Sequence, residues 1–250
     1  MFLRVFCLCF SLLSLVGCGE KSKQPEGKKP LIVITSPDNP PFEFKDTAQG
    51  GNKVIGFDMD VIQKVSEHLG RPIKIIEADF PGLIPALQAG RADMAIAATV
   101  PTDERRKSVD FSDPYYTYKF ALLVPESSSI TSEKDLSDKK VGVQTGSSHE
   151  VLVHKLKENM PGMSLTSLTK IGALVQELKN GRIQALLTED TTAHKIVAST
   201  PGLKVIVLDI QGETPAIVFP KGSPLVAPVN EALKEMKGDI EQLEAKWFRK

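Results

Sequence analysis

The sequence predicts an α/β protein of two similar lobes, each built on a mostly parallel sheet. Three observations carry this expectation. From residue 31 onward, short β-rich runs alternate with helical segments, the pattern of parallel strands connected by helices. A helix–glycine–arginine–strand segment occurs twice, as Ala86-Leu87-Gln88-Ala89-Gly90-Arg91-Ala92-Asp93-Met94-Ala95 and as Glu177-Leu178-Lys179-Asn180-Gly181-Arg182-Ile183-Gln184-Ala185-Leu186. Two extended apolar runs, 118–125 and 214–220, flank the second strand–helix series and are placed as strands crossing between the lobes.

The elements follow in order. Leu31–Thr35 is a β-rich apolar run, stopped by the breaker Ser36-Pro37-Asp38-Asn39-Pro40-Pro41. Residues 54–69 have helical periodicity, with Val61, Ile62, Val65 and Leu69 on one face and Gly70 then Pro72 as stop signals. Ile73–Glu77 is a strand, 83–89 a helix ended by Gly90, and 93–97 a strand. The second series runs from a strand at Lys140–Gln144 to a helix over 147–157 with Ser147 as its cap. A helix at Ile171–Lys179 and strands at 185–188 and Leu203–Val207 complete it. Residues 224–250 are helical, with Leu233, Met236, Ile240 and Leu243 on the buried stripe. This tail has no strand of its own, so it is expected to return to the first lobe. The lobes are then 31–121 plus 216–250, and 122–215; the alternative is two independent consecutive domains.

The N-terminus sets the compartment. Arg4, an apolar stretch over 5–16 and small residues before Cys18 describe a secretory signal peptide. The stretch is too short for a membrane span, which needs about 20 apolar residues. Leu15-Val16-Gly17-Cys18 resembles a bacterial lipobox, so residues 1–17 are expected to be removed and Cys18 lipidated, anchoring the chain to a membrane surface. An ordinary signal peptide is the alternative. Residues 18–30 then form a polar tether with no apolar side chain after Cys18. The three cysteines are Cys7, Cys9 and Cys18. The body after them has none, which excludes disulfides and thiolate metal sites there. Lys and Arg total 31 against 31 Asp and Glu, with no basic stripe to meet a nucleic acid. The four histidines, His68, His149, His154 and His194, lack zinc-type spacing; no metal or cofactor is expected. His149 lies near the expected cleft, and the other three are placed at the surface.

Four segments carry a family resemblance: Pro40-Pro41-Phe42-Glu43-Phe44, Gly56-Phe57-Asp58-Met59-Asp60, Thr102-Asp103-Glu104-Arg105-Arg106, and Asp110-Phe111-Ser112-Asp113-Pro114-Tyr115-Tyr116. In order and spacing they resemble the amino-acid-binding branch of the bacterial periplasmic solute-binding proteins, the extracytoplasmic subunits of ABC importers. Lys246-Trp247-Phe248 is similar to that family's closing helix. The resemblance implies the type II periplasmic binding protein fold, two lobes on two crossing strands with the ligand cleft between them. It also implies a free amino acid as ligand, a membrane-embedded ABC permease as partner, and a monomeric protein with no enzymatic activity. Such a cleft agrees with the general rule that open α/β sheets bind ligands beyond the carboxyl ends of their strands.

The resemblance also assigns roles. Arg105 grips the ligand α-carboxylate, a task suited to its planar fork; otherwise it is a solvated arginine on a charged helix. The Val100 amide assists it. Ser147 and Ser148 open a helix, where free amides favour an anion, although Ser147 also suits a simple cap. Glu189 receives the α-ammonium where the family usually has Asp, with Asp190 either its rival or a cap for the next helix. Ala98 and Thr99 add carbonyl and polar contacts. Phe80 stacks on the ligand or belongs to the core. Asn39 stands where many relatives have a second aromatic, and Phe44 is placed as its substitute. Asp38 and Glu43, acids beside aromatics, suit a guanidinium and point to arginine; otherwise Asp38 caps a turn and Glu43 is structural. Asp58 and Asp60 are read as helix-start residues favoured by the dipole. Two further readings stay open: a periplasmic dehydratase-like enzyme on the same fold, and an amino-acid sensor or adhesin.

Overall fold

A computed structural model describes residues 28–47 and 51–248. The signal-peptide and lipobox expectations, including Cys18, lie outside the described residues. Two five-stranded sheets and one small three-stranded sheet make up the β structure. In the first, β1 (Leu31–Thr35) lies between β5 (Ile73–Glu77) and β6 (Met94–Ala95), parallel to both. β13 (Ala216–Pro220) then pairs antiparallel with β6 and with β7 (Val109–Pro114). In the second sheet, β9 (Lys140–Gln144) lies parallel between β10 (Ser164–Leu168) and β11 (Ala185–Glu189), and β8 (Phe120–Pro125) pairs antiparallel with β11 and β12 (Leu203–Val207).

The two sheets therefore share one plan, β5-β1-β6-β13-β7 and β10-β9-β11-β8-β12. The sequence echo falls on equivalent places. α2 (Leu83–Gln88) and α5 (Ile171–Lys179) each precede a left-handed glycine, Gly90 at φ 67° and Gly181 at φ 70°, and each leads to the third parallel strand of its sheet. The fourth place in each sheet is taken by the strand that enters just after a crossing. β8 and β13, expected to run between lobes, each lie within one sheet, because each finds antiparallel partners on both edges there. The crossings are the shorter segments 115–119 and 208–215. They pair through reciprocal amide–carbonyl bonds of 3.0 Å between Tyr118 and Glu213. Gly212 permits this approach, since a Cβ there would stand 2.2 Å from the Tyr118 carbonyl oxygen.

Sheet pleating splits the apolar residues of the first lobe between two cores. Leu31 and Val33 face the cluster containing Phe57, Val61, Ile62 and Val65 of α1 (Phe57–Leu69), whereas Ile32 and Ile34 face Leu83 and Leu87 of α2. The second lobe has the same two-sided arrangement. α1 ends in a left-handed Gly70, where the Arg71 amide donates to the Ser66 carbonyl. Its start differs from the expected helix over 54–69. Val54 and Ile55 belong to β4 (Lys53–Ile55), which pairs with β3 (Glu43–Asp46), itself paired with β2 (Asp38–Asn39). Gly56, at φ 134°, separates strand from helix. The C-terminal helix is two helices, α7 (Val226–Glu235) and α8 (Lys237–Trp247), broken at Met236. The edge strand β10 was not expected: its half-buried Ser-Leu-Thr-Ser-Leu run is too polar to signal a core strand.

Candidate functional site

The carboxyl ends of β6, β9 and β11 meet between the lobes. There Asn39, Phe80, Ala98, Val100, Arg105, Ser147, Ser148 and Glu189, all expected from the sequence, line one small space together with Ala97, Tyr118, Gln144 and His149. Its volume is about 10 Å³, room for a single water. An adjoining apolar cavity of about 130 Å³ runs under Phe80, Pro81, Leu83 and Ile84, with Thr99 and Arg105 at its wall.

Arg105 sits on the short helix α3 (Asp103–Arg106), whose cap Thr102 accepts the Arg105 amide at 3.2 Å. Its guanidinium spans the lobes, donating Nη1 to the Val100 carbonyl at 2.7 Å and Nη2 to the Gly146 carbonyl at 2.8 Å. It lies 5.5 Å from the Phe80 ring centre. Burial pulls its pKa down, opposed by Tyr118 and Glu213. Two carbonyls do not neutralise a cation, and the guanidinium has five N–H donors, so the fork retains capacity for a carboxylate. Across the space, Glu189 ends β11; it is 5 % exposed and accepts the Thr188 hydroxyl at 2.7 Å. Ser147 caps α4 (Ser148–Lys157), accepting the Glu150 amide at 3.2 Å, so the first-turn amides of α4 open on the same space. A group able to bind an anion and a group able to bind a cation thus line one space.

The remaining expected residues are placed differently. Asp38 bridges the lobes: its Oδ2 accepts the Ile171 amide at 3.0 Å, and Gln144 Nε2 lies 3.3 Å away. Burial raises its pKa, and the Ile171 amide opposes the shift. Asn39 accepts the Thr192 hydroxyl at 2.7 Å, a further bond between lobes. Neither Glu43 nor Phe44 reaches the space. They are successive residues of β3 and so point to opposite faces. Phe44 packs edge-on against Trp247 at 6.0 Å, and Glu43 is buried beside Asp58. Asp58 and Asp60 do stand in the first turn of α1, where the dipole favours them, but no side chain caps that helix. Asp58 binds Ala98 and Tyr115, and Asp60 binds Trp247 Nε1 at 2.7 Å. Asp190 opens α6 (Asp190–Ser199) and accepts the Lys119 amide at 3.1 Å.

Gln144, Tyr118 and Glu213 were missed. Gln144 ends β9, the position from which open α/β sheets present ligand groups. Tyr118 donates to Glu213 at 2.9 Å, as does Ser148 at 2.5 Å, tying both crossings to α4. His149 stacks on Tyr118 at 6.0 Å. Burial, then nearby Asp58, holds Glu43 well above the usual carboxylate range, and burial pushes Asp58 up to about 6. Both shifts are upward, so the folded protein keeps protons that the unfolded chain releases. The stability contributed by Asp58 is fully present below about pH 4 and is lost as pH rises through about 6, and the upward shift of Glu43 acts in the same direction.

Two lobes on paired crossings, with a half-buried arginine and a buried glutamate at the space between them, define a solute-binding protein of the two-lobed class. Residues 31–250 match the profile of the bacterial extracellular solute-binding proteins, family 3, and the chain belongs to that family. It is similar to the arginine-binding extracellular protein ArtP of Bacillus subtilis, 39 % identical over 97 % of this chain and 94 % of the relative. It is 33 % identical to a probable histidine-binding protein of Campylobacter jejuni, over 95 % of this chain and 94 % of that one. Among solved structures, an ancestral arginine-binding protein bound to arginine superposes with a TM-score of 0.83 at 39 % identity, covering 88 % of this chain and 99 % of that chain. The fold and relatives place the chain with the amino-acid-binding proteins of ABC transporters, a periplasmic or surface-exposed family. Among the described residues, no helix is long and apolar enough to cross a membrane.

Proposed function

We propose that the protein captures free arginine between its lobes and delivers it to a membrane-embedded ABC permease. The observation that carries this reading is the placement of Arg105 across the interlobe space from Glu189. Arg105, with the first-turn amides of α4, holds the α-carboxylate; Glu189 holds the α-ammonium; Ala98 and Val100 line the wall between them, and Thr99 lines the adjoining cavity. The space is smaller than any amino acid, so the lobes part to admit the ligand and close over it, flexing at 115–119 and 208–215. The lobes that move follow the expected division, 31–121 with 216–250 and 122–215, adjusted so that Phe120 and Ala121 of β8 travel with the second lobe and the crossings 115–119 and 208–215 flex between them. Asp38, the acid beside Gln144 and Ile171, favours a cationic side chain. The arginine-binding relatives support the same ligand. The family supports binding over catalysis.

Calorimetry of the body from residue 31 onward against the amino acids tests this. Arginine is expected to bind tightest, with lysine, ornithine and histidine weaker and glutamine the main uncharged rival, because a planar cation stacks and donates at its edge where an ammonium does less. Asp38→Asn is expected to weaken arginine more than glutamine. An unchanged arginine-to-glutamine ratio removes Asp38 from the specificity of the site.

We also propose that Cys18 carries the lipid that tethers the protein, as a monomer, to the membrane; the support is the Leu15-Val16-Gly17-Cys18 pattern. Cys18→Ser is expected to leave an unprocessed precursor or release the body from membranes. Metabolic labelling with a lipid analogue should mark the wild type only; an unlabelled, soluble mature wild type overturns the assignment.

A further inference from the structure

Beneath the interlobe site lies a group of buried polar side chains that touch no ligand in the proposed function. Ala98 is the residue they serve. It follows β6 at φ 45°, a left-handed conformation that a side chain with a Cβ disfavours, and it is 5 % exposed. Glycine is the usual solution to such a turn, and the sequence does not use it. Two bonds hold the turn in place: Asp58 Oδ2 accepts the Ala98 amide at 2.8 Å, and the Thr99 carbonyl accepts the Ala216 amide at 2.9 Å. The turn in turn presents the Val100 carbonyl to Arg105 and lines the space with Ala98.

Asp58 is fully buried, and a buried carboxylate is tolerable only when donors surround it. The Tyr115 hydroxyl lies 3.0 Å from both of its oxygens. The third neighbour is the Glu43 side chain, which interacts with Asp58, is 1 % exposed, and has an Oε2 with no hydrogen-bond partner among the described residues. Among the described residues, the titratable groups that bear most on Glu43 are acidic: Asp58 on α1, Asp38 on β2 and Glu189 on β11, with Tyr115 from the first crossing against Asp58. Two ionised carboxylates in contact there would repel without a counter-ion. A proton on Glu43 removes the repulsion, gives the unpartnered oxygen an acceptor and gives Asp58 its third donor.

We propose that Asp58, held by Tyr115 and by Glu43 acting as a neutral hydrogen-bond donor, is the positioning residue that fixes the Ala98–Val100 turn and through it aims Arg105 at the ligand. This rests on the proposed ligand site but not on its specificity. It gives Glu43 a role other than that of a counter-ion for the ligand.

The test compares four variants, with L-arginine or L-glutamine as probe, whichever the wild type binds. Glu43→Gln keeps a donor toward Asp58 and is expected to retain binding, whereas Glu43→Leu, which keeps the volume and loses the donor, weakens it about tenfold or more. Wild-type affinity is expected to fall more steeply than that of Glu43→Gln as pH rises above neutral, since only the wild type can lose this proton. Asp58→Ala is expected to weaken binding about thirtyfold by leaving the Ala98 amide buried without an acceptor. Adding Ala98→Gly, which adopts the left-handed turn without help, should recover a good part of that loss. Equal affinities for Glu43→Gln and Glu43→Leu, parallel pH profiles, or no recovery from glycine would each overturn the proposal. If Asp58→Ala does not fold, Tyr115→Phe takes its place, with weaker binding expected and unchanged binding overturning it. Hydrogen exchange at the Ala98 amide, faster in the variants than in the wild type, reads the same bond with no amino acid present. It therefore separates failure of the positioning role from failure of the ligand assignment.

Discussion

Arg105→Ala is expected to abolish amino-acid binding and to leave the two lobes folded. The wild-type guanidinium is a desolvated cation held by two neutral carbonyls, those of Val100 and Gly146, so a ligand carboxylate is the charge that completes it. Alanine removes both the fork and the bond that joins α3 to the second lobe. A bound carboxylate would then be buried without its cation, a loss of about 2–5 kcal/mol, roughly thirtyfold to several-thousandfold in affinity. The fold is spared because Arg105 belongs to no core cluster and alanine suits a helix. Arg105→Lys recovers little, since an ammonium cannot reach two carbonyls and a carboxylate in one plane. Calorimetry decides the matter; an alanine variant within about threefold of the wild type places the carboxylate elsewhere.

Gly56→Ala is expected to have the largest effect on stability. A Cβ at this position would stand 2.1 Å from the Phe42 carbonyl oxygen and 2.8 Å from that of Pro41. Those same carbonyls accept the Asp58 and Phe57 amides at 2.9 Å, so the loop from β2 to β3 is bonded directly onto the first turn of α1. The contact cannot be relieved by rotating a side chain, because the new Cβ meets backbone atoms. The strained φ of 134° adds to the overlap. Together they should cost about 3 kcal/mol or more, read as a lower urea midpoint at similar m-value. Since α1 carries Asp58, binding should weaken as well. A midpoint within experimental error of the wild type would show that the loop can move aside and that its docking onto α1 is not required.

Much of this was legible in the chain. Strand–helix alternation pointed to the α/β class, because periodicity records which residues a local element must bury. The repeated helix–Gly–Arg–strand segments marked equivalent strands in two lobes, because a left-handed residue after a helix leaves a chemical signature. Arg105 and Glu189 were legible through the family resemblance, as residues matching its motifs, and Ser147 also through its place at a helix start, where a hydroxyl caps free amides.

What the sequence could not decide is which surfaces meet. β8 and β13 look alike as extended apolar runs, and only the ladder of hydrogen bonds assigns each to a sheet. Phe44 and Glu43 both fit a ligand-binding loop by composition, yet the pleat of β3 turns one toward Trp247 and the other toward Asp58. Tyr118 and Glu213 are 95 residues apart and become partners only where the two crossings run side by side. Local order follows from the chain's own periodicity, whereas a site between lobes is made of contacts between distant segments, and the identity of those contacts is decided by packing.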